Sequence, residues 1–148
     1  MRVVVQRSLD SYVSVNNQIT GKIDNGLVIL VGFTLDDDEN DINYIVKKII
    51  GLRIFDDENG IMNLSIKDIN GSILSISQFT LYADTTKGNR PSYINAMKGE
   101  YAIKLYEEFN NKLKENDINV QTGIFGAEMD VHIRNDGPVT ILIDSKVR

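Results

Sequence analysis

The dipeptide Gly137-Pro138 is the feature that most restricts how this chain can fold. Proline fixes its own φ, lacks an amide hydrogen and keeps the preceding residue out of the helical region, so the backbone turns here. Apolar and polar residues alternate on both sides of the dipeptide, over residues 129–134 and 139–143. The sequence therefore predicts two β-strands that flank a polar turn, residues 135–140.

Other strands are indicated along the rest of the chain. The β-branched run at residues 3–5 and the alternation at 12–15 predict strands, and Asn16-Asn17 suits the tight turn that follows. Asn25-Gly26 predicts another turn, and the apolar run after it is typical of a strand buried on both faces. The segment 72–76 predicts a strand that ends in small polar residues.

Two segments show the helical period instead. In the first, acidic residues precede one apolar stripe and Gly51 ends the helix; the stripe is Ile42, Ile45, Val46, Ile49 and Ile50. The second begins at Glu100, and its apolar face is Ala102, Leu105, Tyr106, Phe109 and Leu113. Residues 82–99 have no clear period, which predicts a long surface loop with Lys87 and Arg90 as a basic pair.

The order of these elements is strands, helix, strands, helix, strands. It predicts a mixed α/β fold in which curled β-sheets pack against two helices. A chain of 148 residues has the usual length of one domain, so residues 1–148 are expected to form a single domain. Two helices cover only part of the strand surface, which leaves a sheet face or edge for a second subunit.

Composition excludes several classes of protein. With 16 Lys and Arg against 21 Asp and Glu, the net charge is −5, so any contact with RNA must be local. The absence of cysteine excludes disulfides, thiolate metal sites and a cysteine nucleophile. One histidine makes a metal site improbable, and no cofactor is expected. The apolar runs are too short to span a bilayer, which predicts a cytoplasmic protein with no membrane contact.

The strand end Ser77-Gln78-Phe79-Thr80 carries groups suited to ester chemistry. Free backbone amides at Phe79 and Thr80 would stabilise an oxyanion. Thr80 is also a candidate nucleophile, but a threonine hydroxyl needs an adjacent base and this segment supplies none. Both roles for Thr80, nucleophile and positioner, remain open from the sequence.

These two polar segments together resemble a known family. Residues 77–81 (SQFTL) and 135–140 (NxGPVT) are similar to the two signature motifs of the D-aminoacyl-tRNA deacylases. Further segments match in the family's order and spacing: 6–7, 51–55, 62–64, 88–92 and 122–129. The resemblance implies a layered β/β/α fold, a homodimer, and hydrolysis of the ester bond of D-aminoacyl-tRNA, a chiral proofreading step in translation.

The resemblance also implies roles for individual residues, which we name as predictions. The catalytic set is Ser77, Gln78, Phe79 and Thr80. Gly137 and Pro138 form a chirality gate, meaning an element that admits D-acyl groups and rejects L-acyl groups; it reaches the partner subunit's site and is braced by Arg7. The pocket for the 3′-terminal adenosine is Phe125, Gly126, Ala127 and Met129. Apart from the resemblance, the charges of Lys87 and Arg90 predict a small, salt-sensitive contact with tRNA phosphates near the CCA end.

Three alternatives remain at this stage. A non-catalytic, dimeric RNA- or nucleotide-binding module would use the same motifs only for packing and binding. A generic esterase would act on simple D-amino acid esters that lack the ribose. If the chain is a deacylase, water attack assisted by the neighbouring ribose hydroxyl competes with an acyl-enzyme on Thr80. A gate of this kind cannot exclude glycine, so glycyl-tRNA is an expected substrate.

Overall fold

A computed structural model describes residues 1–148. Seven strands and two α-helices follow one another along the chain: β1 Arg2–Val15, β2 Gln18–Gly32, α1 Glu39–Gly51, β3 Phe55–Asp56, β4 Met62–Leu64, β5 Ser72–Ser77, α2 Gly99–Glu115, β6 Asn119–Thr122 and β7 Asp130–Asp144. A short 3-10 helix, Phe79–Tyr82, follows β5. The mixed α/β class with two main helices, predicted from the sequence, is confirmed.

Five strands form one sheet in the order β6-β5-β2-β1-β7, and β3 and β4 form a separate hairpin. Strand β5 runs parallel to both β2 and β6, whereas β1 runs antiparallel to β2 and β7. The carboxyl ends of the three parallel strands therefore meet at one end of the sheet. Ligands in sheets with parallel strands commonly bind at such an end.

Apolar residues pack on both faces of this sheet. The larger core joins the sheet to both helices and includes Val3, Ile29, Ile45 and Phe109. A smaller core on the other face consists of Val13, Ile23, Val28, Leu74 and Ile76. Val13 and Ile23 come from the halves of β1 and β2 nearest their connecting turn, and Leu74 and Ile76 come from β5.

The helices have the predicted bounds and buried faces. Asp38 caps α1 and forms a capping box with Asp41, which satisfies amides at the start of the helix. The predicted stripe of α1 lies in the core, as does the apolar face of α2 with Phe109 and Leu113 fully buried. None of the helices combines the length and apolarity needed to cross a membrane.

The prediction of two strands around residues 135–140 was wrong. One strand, β7, runs from Asp130 to Asp144 and pairs with β1 on both sides of the Gly-Pro dipeptide. Asn135 pairs with Ser8 and Thr140 with Gln6, so residues 136–139 bulge out opposite Arg7 alone. A long bulge replaces the predicted turn, because the parts of β7 on both sides of it pair with the same neighbouring strand, β1.

The turn predicted at Asn25-Gly26 was also wrong, because both residues lie inside β2. Gly26 has a φ of +147° and sits directly against the backbone of Ser72, where a Cβ would overlap the Ser72 carbonyl oxygen. The absence of a side chain at Gly26 therefore allows the backbone of β5 to approach β2 closely. A local pattern cannot separate this use of Asn-Gly from a turn, since the approaching strand is distant in sequence.

A buried cluster of charges joins the amino terminus to α1 and the end of the chain. The ammonium group of Met1 contacts Asp37 and donates to Ser145 Oγ at 2.8 Å. Ser145 in turn donates to Asp41 at 2.6 Å, and Lys146 Nζ lies 3.0 Å from the same carboxylate. The side chains of Asp37 and Asp41 are almost fully enclosed, so these charges stabilise the fold only as a paired set.

Stability is expected to fall as the pH drops below about 4 because of Asp41. Burial would raise the pKa of Asp41, but hydrogen bonds from Ser145, the Asp38 amide and Lys146 hold it well below its ordinary value of 3.8. Since the unfolded chain binds the proton more readily, the stabilisation is complete above the ordinary pKa and is lost as the pH falls towards the folded-state pKa. Urea denaturation of the parent chain and of Asp41→Asn at pH 7 and pH 3 tests this. The free energy of unfolding should fall less between pH 7 and pH 3 in the variant than in the parent chain. An equal fall in both would contradict the prediction.

Candidate active site

A cleft of about 580 Å³ opens where the parallel strands β2 and β5 end. Its walls come from the end of β2, the end of β5, the loop before α2 and the segment before β7, and most of the lining side chains are apolar. Its volume lies in the range usual for sites that hold small molecules or single nucleosides. The lining residues are Val31, Gly32, Phe33, Ile76, Ser77, Gln78, Phe79, Tyr93, Ala96, Met97, Lys98, Gly99, Ala102, Phe125, Gly126, Ala127, Met129 and Val131.

The segment Ser77–Thr80 lies at the carboxyl end of β5. Ser77 pairs with Val31, and the Gln78 amide donates to the Val31 carbonyl at 2.7 Å, after which the chain leaves the sheet in the 3-10 helix. Ser77, Gln78 and Phe79 line the cleft, whereas Thr80 does not. The backbone amides of Phe79 and Thr80 donate to no group of the protein. Two donors are therefore free next to the cleft for a developing negative charge.

The hydroxyl of Thr80 has no base beside it. The side-chain amide of Gln78 donates to Thr80 Oγ1, and no carboxylate or imidazole is hydrogen-bonded to that oxygen. His132 stacks on Tyr12, lies 3.2 Å from Asp130 and does not line the cleft. No group of three or more His, Asp or Glu side chains is placed to hold a metal ion. The arrangement suits Thr80 as a positioning group better than as a nucleophile.

The predicted adenosine pocket faces the same cleft. Phe125, Gly126, Ala127 and Met129 all line it, on the wall formed by the segment before β7. The Phe125 ring packs against Tyr106 with 5.6 Å between centroids, and the Tyr106 hydroxyl donates to the Ser75 carbonyl at 2.7 Å. Burial raises the pKa of Tyr106, so it remains a neutral donor at physiological pH. The two residue sets predicted separately thus share one cleft.

The Gly137-Pro138 bond is cis, and Gly137 has a φ of +125°. Arg7 holds the bulge from the opposite strand: its Nε donates to the Asp136 carbonyl at 3.2 Å and lies 3.3 Å from the Asp136 carboxylate. Its Nη1 donates to the Ile54 carbonyl at 2.9 Å. The two strands predicted at residues 3–5 and 12–15 are one strand, β1, so Arg7 lies in its middle, and the residue is buried. Its contacts place it as a brace of the bulge.

The bulge does not reach the cleft of its own chain. Neither Gly137 nor Pro138 lines the cleft, and both are exposed. Ser77 pairs through Val31 with Val3, four residues before Arg7 on β1. Spacings of ~3.3 Å per residue and ~4.8 Å per strand then separate Ser77 from the bulge by roughly 13 Å along the strands and roughly 14 Å across them.

The basic pair Lys87 and Arg90 lies on the exposed loop and does not line the cleft. The one charged residue that lines it is Lys98, directly before α2. Sequence reasoning missed Lys98 together with the wall from the end of β2 and Tyr93. No local signal marks these residues, because they meet the cleft only through contacts between segments distant in sequence, such as the pairing of β2 with β5 and the hydrogen bond from the Met97 amide to the Phe33 carbonyl.

Taken together, main-chain donors and apolar walls converge at one cleft, an arrangement typical of sites that bind small ligands. The family model described as D-Tyr-tRNA(Tyr) deacylase matches residues 4–144. The chain is 54% identical over 146 residues to the D-aminoacyl-tRNA deacylase of Bacillus cytotoxicus, covering 99% of this chain and 100% of the relative. It is 56% identical to that of Thermosipho africanus, over 99% and 98% of the two chains. This chain therefore belongs to the D-Tyr-tRNA(Tyr) deacylase family, as its motifs predicted.

Solved structures agree with the family at the level of the fold. The c-Myc DNA Unwinding Element Binding Protein superposes with a TM-score of 0.92 at 38% identity, over 97% of this chain and 98% of the other. A probable eukaryotic D-amino acid tRNA deacylase superposes with a TM-score of 0.79 at 18% identity, over 96% and 97% of the two chains. The second likeness concerns the fold alone.

Proposed function

We propose that this protein hydrolyses the ester bond of D-aminoacyl-tRNA and releases the free D-amino acid and tRNA. Its relatives carry the name of that activity, and the family model covers almost the whole chain. The observation that supports the proposal best is that free amides at Phe79 and Thr80 lie beside the cleft that Phe125 and Met129 also line. Removing D-amino acids from tRNA in this way is chiral proofreading.

The geometry supports hydrolysis by water on a main-chain scaffold. The terminal adenosine would lie against Phe125 and Met129, with the ester carbonyl directed at the amides of Phe79 and Thr80. Each such donor is typically worth about 3–4 kcal/mol in the transition state. The ribose hydroxyl next to the ester is present in every substrate molecule and would position the attacking water. Thr80 then fixes the amide segment through its bond with Gln78.

Selection of the D-acyl group is assigned in this proposal to Gly137-Pro138 of a second subunit. Because the bulge lies far from its own cleft and is exposed, it is available to a neighbouring copy. Rigid main chain where an L side chain would point excludes the L ester. Glycine has no side chain to exclude, so glycyl-tRNA would also be hydrolysed.

A homodimer would bury apolar surface that a single chain leaves open. Leu142 is 62% exposed on β7, and Val4 and Leu30 follow it in one row across β1 and β2. A second copy that covers this row would bring its own Gly137-Pro138 bulge with it.

We further propose that residues 1–148 act as one domain and that the protein works in the cytoplasm, on tRNA that contacts Lys87 and Arg90 near its CCA end.

Three charged tRNAs distinguish the proposal from its alternatives. D-Tyr-tRNA and Gly-tRNA should be deacylated when incubated with the protein, and L-Tyr-tRNA should remain intact. A non-catalytic RNA-binding module would leave all three intact. A generic esterase would also hydrolyse simple D-tyrosine esters without a ribose, which the proposed enzyme should not.

Thr80→Val is expected to retain activity within about ten-fold of the parent chain, because the backbone amides and the ribose hydroxyl remain. The measurement is single-turnover hydrolysis of D-Tyr-tRNA, with Thr85→Val in the exposed loop as a matched control. Mass spectrometry of the quenched reaction should show no acyl group on the protein. A trapped adduct on Thr80 would establish the acyl-enzyme route instead, and a loss of about 10⁴-fold would show that the hydroxyl itself is essential.

A further inference from the structure

Two exposed aromatic rings stand at the mouth of the cleft. Phe79 is 55% exposed and Tyr93 is 41% exposed, and their rings meet edge to face with 5.0 Å between centroids. Both residues line the cleft. Aromatic faces held in water beside a ligand cleft are the usual platforms for unpaired nucleobases.

The loop that carries Tyr93 is tied to its surroundings on both sides. Before Tyr93, Ser92 exchanges two backbone hydrogen bonds with Asp84, at 2.8 and 2.9 Å. After it, the Asn95 carbonyl accepts from Thr34 Oγ1 at 2.6 Å, and the Met97 amide donates to the carbonyl of Phe33, the residue directly after β2, at 3.0 Å. The ring is therefore presented by a fixed backbone, which lowers the entropy lost when a base stacks on it.

Lys98 supplies a positive charge to the same cleft. It is the only charged residue among those that line the cleft, and it forms no ion pair. Its carbonyl accepts from the amides of Tyr101 and Ala102, which fixes its backbone at the start of α2. Glu100 on the same turn does not line the cleft. A lysine that lines an otherwise uncharged, mostly apolar cleft suits a phosphate that links two nucleosides.

We propose that the rim of the cleft binds the nucleotide that precedes the terminal adenosine, with its base on Tyr93 and Phe79 and the linking phosphate at Lys98. The inference rests on the proposed function and extends the ligand from one nucleoside to a dinucleotide 3′ end. Since every base has a stacking face, the subsite accepts any base; one stacked base contributes roughly 5- to 150-fold in affinity. Lys98 adds a salt-dependent contribution.

The test compares the D-tyrosyl ester of the dinucleotide CpA with the D-tyrosyl ester of adenosine. CpA differs from adenosine by one additional nucleoside, cytidine, and the phosphate that links it. Tyr93→Ala should raise the KM for the CpA ester by about 5- to 30-fold with kcat within two-fold, and Tyr93→Phe should resemble the parent chain. Lys98→Gln should raise the same KM several-fold and weaken its dependence on salt. Neither variant should alter the kinetics of the adenosine ester. Tyr101→Ala, an equally exposed tyrosine outside the cleft, should change neither substrate.

Titration calorimetry with uncharged CpA and adenosine repeats the comparison without catalysis. If Tyr93→Ala loses affinity for CpA and keeps its affinity for adenosine, the subsite is supported, whether or not the protein hydrolyses an ester. A protein that binds CpA in this way but hydrolyses no charged tRNA would overturn only the proposed function. Equal losses for both ligands would show that the ring merely shapes the adenosine pocket and would overturn the subsite. Unchanged affinity for CpA would overturn it as well.

Discussion

Replacing Asp37 by asparagine is expected to lower the free energy of unfolding by about 3–5 kcal/mol. The Asp37 side chain and the Met1 ammonium group are both fully buried and pair with each other. Asp37 also accepts the Thr34 amide at 2.7 Å and lies 3.4 Å from Lys146 Nζ. Removing the carboxylate leaves a buried ammonium group without its counter-charge, which is far more costly than losing an exposed pair.

Urea denaturation followed by far-UV circular dichroism at pH 7 measures this effect. In a chain of this size the same loss lowers Tm by roughly 6–20 °C. Asp36→Asn is the matched control, because that neighbouring carboxylate is 79% exposed and also lies near Lys146, at 3.6 Å. We expect the control to remain within about 0.5 kcal/mol of the parent chain. Equal effects of the two substitutions would show that the buried pair contributes no special stability.

Gly137→Ala is expected to reduce the preference for D-Tyr-tRNA over L-Tyr-tRNA by on the order of 10²-fold. A Cβ at this position would lie 2.9 Å from Val139 Cγ2 and 3.0 Å from Arg7 Nη2, and the φ of +125° is unfavourable for an L side chain. The bulge must therefore shift away from the guanidinium that braces it. A displacement near 1 Å is enough to spoil a steric gate.

Gly60→Ala separates this effect from general strain. Gly60 also has a positive φ, +74°, but a Cβ there meets nothing within 4 Å, and the residue lies in the β3–β4 hairpin. The control should lose some stability and keep its ratio of D to L hydrolysis. The ratio for each variant is obtained from its deacylation rates on D-Tyr-tRNA and L-Tyr-tRNA, measured under conditions in which the variant is folded. An unchanged ratio in Gly137→Ala would remove the Gly-Pro element from chiral selection.

Much of this protein could be predicted from local patterns. The stripe of α1 and the alternation in the long strands depend on residues close in sequence, and the structure confirms them. The errors came where distant segments meet. Asn25-Gly26 proved to be strand because β5 approaches its backbone, and residues 135–140 proved to be a bulge because β1 pairs on both sides of them.

The sequence by itself determined the family, the two helices and the chemistry that a chain without cysteine can perform. It also named two groups of residues that line the cleft, Ser77–Phe79 and the segment from Phe125 to Met129. Only the tertiary structure decided that these groups share one cleft, that Tyr93 and Lys98 stand at its rim, and that Gly137-Pro138 lies outside it. The reason is physical: helical and strand periods are set within a few residues, whereas strand register and neighbours depend on which distant surfaces are buried together.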